Sequence, residues 1–300
     1  MSRGVQWAAV AALVGAGVLA LAVGAPFGQD RTSDSDLAGR APGSPTGSPE
    51  VRSGAPFMAV VGGAERRPPA LAAAAPQQYE LRHFPYDGRF TFSRIRFGTG
   101  MRGMGRGGPV WAHDYPIGEV NFLKILTEVT NVRAQMEGSN VFSFDDPELT
   151  RYPIAYIVEV GFWFPTPAEV EGLRSYLQKG GFLIVDDFRG PRDIANFQEQ
   201  MRRVLPGHQL HQLDESHDIF NSFFEIQSLD VAPPTFRGYP PYYLGIFEDN
   251  DPSKRLLAII NYNNDLGEYW EYSDMGYYPI DLSNEAYKLS VNYFIYALTH

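Results

Sequence analysis

At the centre of the sequence lies Gly180-Gly-Phe-Leu-Ile-Val-Asp-Asp-Phe-Arg-Gly190, an apolar run that ends in two adjacent acids. The glycine pair at its start is typical of the end of a helix, and residues 182–185 suit a strand that is buried on both faces. Asp186 and Asp187 then fall at the carboxyl end of that strand, where open α/β sheets have their ligand sites. The segment therefore predicts a central strand with a polar pocket at its carboxyl edge.

Strands and helices alternate on both sides of this segment. The clearest helix signal is Thr166 followed by Pro167 and Glu169, which is the pattern of a capping box. Residues 261–271 form a polar and aromatic run that we interpret as a long loop. The predicted strands cover residues 90–97, 132–135, 154–160, 182–185, 242–247 and 256–260, and the predicted helices cover 117–130, 167–179, 193–205 and 284–298. This alternation predicts a three-layer α/β fold with a mostly parallel central sheet.

The composition excludes several classes of function. The 300 residues carry a formal net charge of -10, which argues against nucleic-acid binding as the main role. The chain contains no cysteine, so disulfides, thiolate metal sites and cysteine nucleophiles are all excluded.

The N-terminal quarter of the chain, residues 1–78, differs in composition from the rest. Arg3 precedes an apolar run over residues 7–25, whose length lies between that of a signal peptide and that of a membrane-spanning helix. We expect residues 1–25 to engage the export machinery or the membrane, either as a cleaved signal peptide or as an inner-membrane anchor. Residues 26–78 are rich in Pro, Gly and Ala and predict a disordered linker. An exported domain, periplasmic or extracellular, is then expected over residues 79–300.

Several short motifs follow one another along that domain. They include Trp111-Ala-His-Asp114, Leu205-Pro-Gly207, His217-Asp-Ile-Phe220, Asn263-Asn-Asp265 and Tyr269-Trp-Glu271, besides the central strand. Together they resemble the DUF4159 family, a family of unknown function. The resemblance implies a flavodoxin-like fold, similar to class I glutamine amidotransferases and ThuA-like proteins, and it brings no established catalytic residue. The amidotransferase nucleophile is a cysteine where this chain has Asp187, so glutaminase chemistry is excluded.

Polar side chains are expected to meet at the carboxyl edge of the sheet, because parallel strands all end there. Successive strand residues point to opposite faces, so only one of Asp186 and Asp187 should face the pocket. The other is expected to cap the following helix or to pair with Arg189. The candidate catalytic residues are Asp187, Glu159 and His217, and the candidate ligand-binding residues are Asp114, Asp186, Arg189, Asp218, Arg102 and Arg106.

Arg102 and Arg106 belong to a glycine-rich loop that contains Gly98-Thr-Gly-Met-Arg-Gly103. A dinucleotide fingerprint would need a helix to begin at that point, and more glycines follow instead. The loop is therefore interpreted as a lid over the pocket or as a solvated connection. His113 beside Asp114 is interpreted as a structural hydrogen-bonded pair.

Two interpretations fit the acidic side chains expected at the carboxyl edge of the sheet. Gathered carboxylates with a histidine could hold a hard cation through oxygen or act as general acid and base. Alternatively, arginines and helix N-termini neutralise them. No metal-ligand array identifies a cofactor. The sequence favours a domain that binds a small ligand or a protein partner without catalysis. The alternative is a hydrolase acting on a carbohydrate-like or amide substrate, with or without a metal.

Overall fold

The computed structural model describes residues 81, 83–98, 104–105, 108–229 and 238–300. The strands are β1 (Ser93–Ile95), β2 (Met104–Gly105), β3 (Gly108–Pro109), β4 (Asn140–Phe142), β5 (Ile154–Val158), β6 (Phe182–Phe188), β7 (His211–Gln212), β8 (Tyr242–Phe247) and β9 (Leu256–Tyr262). The helices are α1 (Ile117–Val129), α2 (Pro167–Gln178), α3 (Gly190–Val204), α4 (Leu266–Glu271) and α5 (Ile280–Thr299).

Seven of these strands form one sheet in the order β4-β1-β5-β6-β9-β8-β7, while β2 and β3 pair separately. Five adjacent strands of this sheet, β4, β1, β5, β6 and β9, run parallel to one another. Strand β8 pairs antiparallel with β9, and β7 pairs antiparallel with β8. Numbered along the chain, the parallel strands run 2-1-3-4-5, which is the flavodoxin-like order. The predicted α/β fold with a mostly parallel central sheet is confirmed.

The sheet is the middle of three layers because its central strands are apolar on both faces. Along β5, Ile154, Tyr156 and Val158 pack into one hydrophobic cluster, and the alternate residues Ala155 and Ile157 pack into the other. The first cluster includes side chains of α1, α4 and α5, and the second includes side chains of α2 and α3. Helices therefore cover both faces and leave the strand ends free to carry polar groups.

The capping box at α2 is present as predicted. The Thr166 hydroxyl accepts the Glu169 N–H at 3.2 Å, and the Glu169 carboxylate accepts the Thr166 N–H at 2.8 Å. The second strand was predicted wrongly at residues 132–135, where only Ala134 forms an isolated bridge. It is β4 instead, in which Asn140 is buried because its side-chain amide bonds the Phe84 backbone at 2.7 and 2.9 Å.

The loop predicted over residues 261–271 was also wrong, because its second half is helix α4. The last helix begins at Ile280, a few residues earlier than predicted. None of the helices in the described residues is long and apolar enough to cross a membrane. The predicted N-terminal segment and the linker lie outside the described residues.

Candidate metal centre

Four titratable side chains meet at the carboxyl edge of the sheet, and we call them the His–Asp cluster: His113, Asp114, Asp187 and Asp265. One ligand atom from each lies within 4.8 Å of all the others. Nδ1 of His113 forms an ion pair with Oδ2 of Asp187 and lies 3.9 Å from Oδ1 of Asp114. Half of the His113 side chain is exposed, whereas the three carboxylates are buried. The cluster therefore combines three buried carboxylates with one half-exposed imidazole.

The backbone around this cluster is held in a conformation that is uncommon for residues other than glycine. Asp114, Glu159, Asp187 and Asn263 have φ values of 61°, 54°, 51° and 62°, in the left-handed region. Such residues cost on the order of 1–3 kcal/mol each and concentrate at functional sites. At Asp187 the left-handed turn coincides with a register shift between β6 and β9, so the strand is no longer regular there.

This irregularity separates the tasks of the two adjacent acids of β6. The Asp186 carboxylate accepts hydrogen bonds from the Tyr156 hydroxyl at 2.7 Å and the Asn261 amide at 3.0 Å. It also accepts the first two backbone N–H groups of α4, at 2.8 and 3.1 Å. Asp186 thus caps a helix, as one of the two acids was expected to do. The helix that it caps is α4, however, and not α3, the helix that directly follows β6 in the chain. Asp187 forms an ion pair with His113.

Asp114 differs from its neighbours because neither carboxylate oxygen has a hydrogen-bond partner within the described residues, although both are buried. Most of the nearby guanidinium of Arg94 is used elsewhere, although its Nη2 atom is also buried without a hydrogen-bond partner in the described residues. The guanidinium pairs with Glu119 and donates to the backbone carbonyls of Trp111 and His113 at 3.1 and 2.9 Å. Arg94 therefore holds the turn that presents Asp114, and the carboxylate itself has no hydrogen bond to this guanidinium.

The acids and the histidine shift one another's protonation. The Asp187 carboxylate raises the pKa of His113 to about 11. Burial raises the pKa of Asp114 and of Asp265 well above the usual aspartate range. Burial, helped by Asp187, also raises the pKa of Glu159 to about 8. Such shifts arise where several like charges are withdrawn from water, and they are common at functional sites.

A second group of acids adjoins the first and shares one member with it. We call Asp114, Glu268 and Glu271 the α4 cluster, since one ligand atom from each also lies within 4.8 Å of the others. The Tyr278 hydroxyl donates to Oε1 of Glu268 at 2.8 Å. The Asp265 carboxylate accepts the backbone N–H of Glu268 at 2.9 Å, so α4 itself links the two clusters.

The family model of a domain of unknown function, DUF4159, matches residues 91–298. The chain belongs to the DUF4159 family. No curated protein matches the chain. The matched range contains every residue of both clusters, so the site lies within the DUF4159 domain. The wider resemblance to amidotransferases and ThuA-like proteins stays an expectation.

Two of the predicted site residues lie elsewhere in the DUF4159 domain. The His217 ring packs 5.7 Å from that of Phe247, which pairs with Leu256 at the start of β9 and so lies at the opposite edge of the sheet. Asp218 lines the same cavity as His217. The predicted convergence of His217 with Asp187 and Glu159 was wrong, because the segment that carries His217 packs against Phe247 and Tyr296 instead. Arg189 precedes α3 as its N-cap residue, and Arg102 and Arg106 lie outside the described residues.

Sequence reasoning missed His113, Asp265, Glu268 and Glu271 as members of the site. Asp265 had a usable signal, because Asn263-Asn-Asp265 directly follows a buried strand just as Asp187 ends another. The helix α4 hid Glu268 and Glu271, since six residues are too few for a periodic pattern.

Proposed function

We propose that this DUF4159 domain binds a divalent metal ion at the His–Asp cluster. The observation that carries the proposal is the Asp114 carboxylate, which is buried without a hydrogen-bond partner in the described part of the chain. Burying an uncompensated carboxylate costs several kcal/mol in real proteins. A cation bound by Asp114 and its three neighbours would remove that cost.

The spacing of the cluster suits a single ion. Two ligands on opposite sides of a metal are separated by twice the metal–ligand distance, which is about 4 Å for Zn²⁺ and about 5 Å for Ca²⁺. The ligand atoms of the four side chains lie no more than 4.8 Å from one another, which agrees with that range. Three carboxylates with one imidazole suit Mn²⁺ or Zn²⁺, which accept both oxygen and nitrogen ligands.

The competing explanation is that basic side chains neutralise these acids. It is weakened by the assignment of Arg94 to Glu119, with which it forms a fully buried pair. His113 forms an ion pair with Asp187. The half-exposed imidazole of His113 carries one positive charge and can balance only one of the three buried carboxylates.

We infer binding without catalysis as the first function of this site. The hydrolase alternative used Asp187, Glu159 and His217 together, and His217 packs at the other edge of the sheet. We further propose that the domain works outside the cytoplasm, which rests on Arg3 and the apolar run over residues 7–25. A reporter fused after His300 should be active only in an exported location, and cytoplasmic activity would refute export.

Thermal unfolding of the metal-free protein in rising Mn²⁺ or Zn²⁺ tests the cation site. A ligand that binds only the folded state stabilises it by about 2.7 kcal/mol at a hundredfold excess over Kd. We expect the melting temperature to rise for the wild type and to stay flat for Asp187→Asn and Asp265→Asn. Asp218→Asn, an exposed acid at the opposite edge of the sheet, is the matched control and should respond like the wild type. A flat wild-type curve, or a loss of response in the control, would contradict the proposal.

A further inference from the structure

The two oxygens of the Asp114 carboxylate face different groups of ligands. Oδ1 lies 3.9 Å from Nδ1 of His113, on the side of the His–Asp cluster. Oδ2 lies against α4, because a Cβ atom added to Gly267 would come within 2.6 Å of it. Gly267 immediately precedes Glu268 on that helix. Both oxygens lack hydrogen-bond partners in the part of the chain that the structure describes.

The side of α4 next to Asp114 supplies further carboxylate ligands. Glu268 and Glu271 each bring an oxygen within 4.8 Å of the Asp114 carboxylate and of one another. They are three residues apart on the helix, a spacing that puts side chains on one face. Glu268 Oε1 is used by the Tyr278 hydroxyl, which fixes the side chain and leaves its other oxygen available.

We propose that the site holds two divalent cations, bridged by Asp114, with the second cation bound by Glu268 and Glu271. This inference rests on the proposed function, since the first cation is the one at the His–Asp cluster. A carboxylate that gives one oxygen to each metal is a common bridge, and paired ions lie about 3.5–4 Å apart. Two cations explain why both oxygens of the buried Asp114 carboxylate lack a hydrogen-bond partner among the described residues. A single cation at the His–Asp cluster would account for only one of these oxygens.

The number of bound metal ions per chain distinguishes a site for two cations from a site for one. Equilibrium dialysis of the full chain against saturating Mn²⁺, followed by elemental analysis, should give two Mn²⁺ per chain for the wild type. The double variant Glu268→Gln and Glu271→Gln should retain one. A glutamine side chain in place of Glu268 can still accept the Tyr278 hydrogen bond, so the fold is expected to survive. Glu271→Gln alone, at a half-buried side chain, is the milder variant and should weaken the second ion at least tenfold.

Electron paramagnetic resonance of the same samples reports directly on whether two Mn²⁺ ions lie close together. A loss of stability in the double variant would not by itself change this signal. Two bridged Mn²⁺ ions couple, so the wild-type signal at full loading should be broadened, and the double variant should show the sharp six-line spectrum of an isolated ion. One Mn²⁺ per wild-type chain would overturn the second site while leaving the first intact. No bound Mn²⁺ at all would overturn both. Two ions in the double variant would place the second ion elsewhere and overturn the role of the glutamates.

Discussion

At the scale of single residues, the site consists of carboxylates that are buried away from water, and one of them, Asp114, has no hydrogen-bond partner among the described residues. Asp186 lies in the same strand as Asp187, yet its carboxylate is fully hydrogen-bonded and serves the fold. Asp114 is equally buried and has no such bonds among the described residues. The contrast separates a structural acid from a candidate ligand by their hydrogen bonds, although the two residue types are identical.

Asp114→Asn tests this distinction directly. Asparagine tolerates the left-handed backbone of this position and removes the buried charge, so the free energy of unfolding of the metal-free protein should stay unchanged or rise. The same variant should lose the stabilisation by Mn²⁺ that the wild type shows. Denaturant unfolding with and without the metal measures both quantities. A variant that is strongly destabilised without metal and still responds to Mn²⁺ would show that Asp114 serves the fold.

Glu159 gives a prediction about pH. Its pKa is raised from 4.5 to about 8 in the folded protein, mainly by burial. A raised pKa means that its contribution to stability is present below pH 4.5 and is lost as the pH rises to about 8. Glu159→Gln cannot titrate, so the metal-free variant should gain stability relative to the wild type steadily across that window. Unfolding measured at several pH values checks this, and a constant difference between the two proteins would contradict it.

At the scale of elements, the helix α4 brings the two clusters together. It is capped by Asp265 from its own chain segment and by Asp186 from β6, and the amide of Asn121 in α1 donates to the Trp270 carbonyl at 3.0 Å. A six-residue helix would not be stable alone. Its position is therefore set by carboxylates and amides from distant parts of the chain.

Gly267→Ala should disturb this element at the site. The added Cβ would lie 2.6 Å from Oδ2 of Asp114 and 3.0 Å from the Tyr156 hydroxyl, so the carboxylate must move. We expect a loss of roughly 1–3 kcal/mol in stability and at least a tenfold weaker response to Mn²⁺. Gly118→Ala in α1 is the matched control, because its Cβ would approach Asp114 no closer than 3.4 Å. Titration of both variants followed by thermal unfolding measures the response, and equal behaviour would contradict the close approach at Gly267.

The elements that the sequence predicted well are those whose own residues determine them. The capping box at Thr166 and the apolar runs of β5, β6 and β9 are local signals. Asn140 concealed β4 because a polar residue in a strand is stabilised by Phe84, far away in sequence. His217 was placed wrongly because its position depends on packing against Phe247 and Tyr296, which are distant in sequence and which no local pattern predicts. Asp114 could be recognised as a site residue, but its missing partners could be seen only once the neighbouring elements were packed.

At the scale of the whole molecule, the order of the parallel strands concentrates the site. β1, β5, β6 and β9 are adjacent in the sheet and end at one edge. Asp187 lies near the end of β6 itself, and the segments that follow β1, β5 and β9 carry Asp114, Glu159 and Asp265 respectively. Residues as far apart in the chain as the first and last of these can share one ion, because the topology and not the chain length sets their distance.

The domain boundary is a prediction at the same scale. We expect residues 79–300 to fold without the first 78, since every periodic element lies after Tyr79. The shortened chain should unfold in a single cooperative transition and keep the stabilisation by Mn²⁺. A broad, non-cooperative transition would show that the N-terminal segment contributes to the core.

Anomalous diffraction from crystals soaked in Mn²⁺ tests metal binding at the His–Asp cluster without relying on stability, because it locates the metal itself. We expect a strong peak within about 2.0–2.6 Å of ligand atoms from His113, Asp114, Asp187 and Asp265. A peak that persists in Asp218→Asn and disappears in Asp187→Asn would complete the assignment. A saturated crystal with no peak at these four residues, or with peaks only at exposed surface acids, would contradict it.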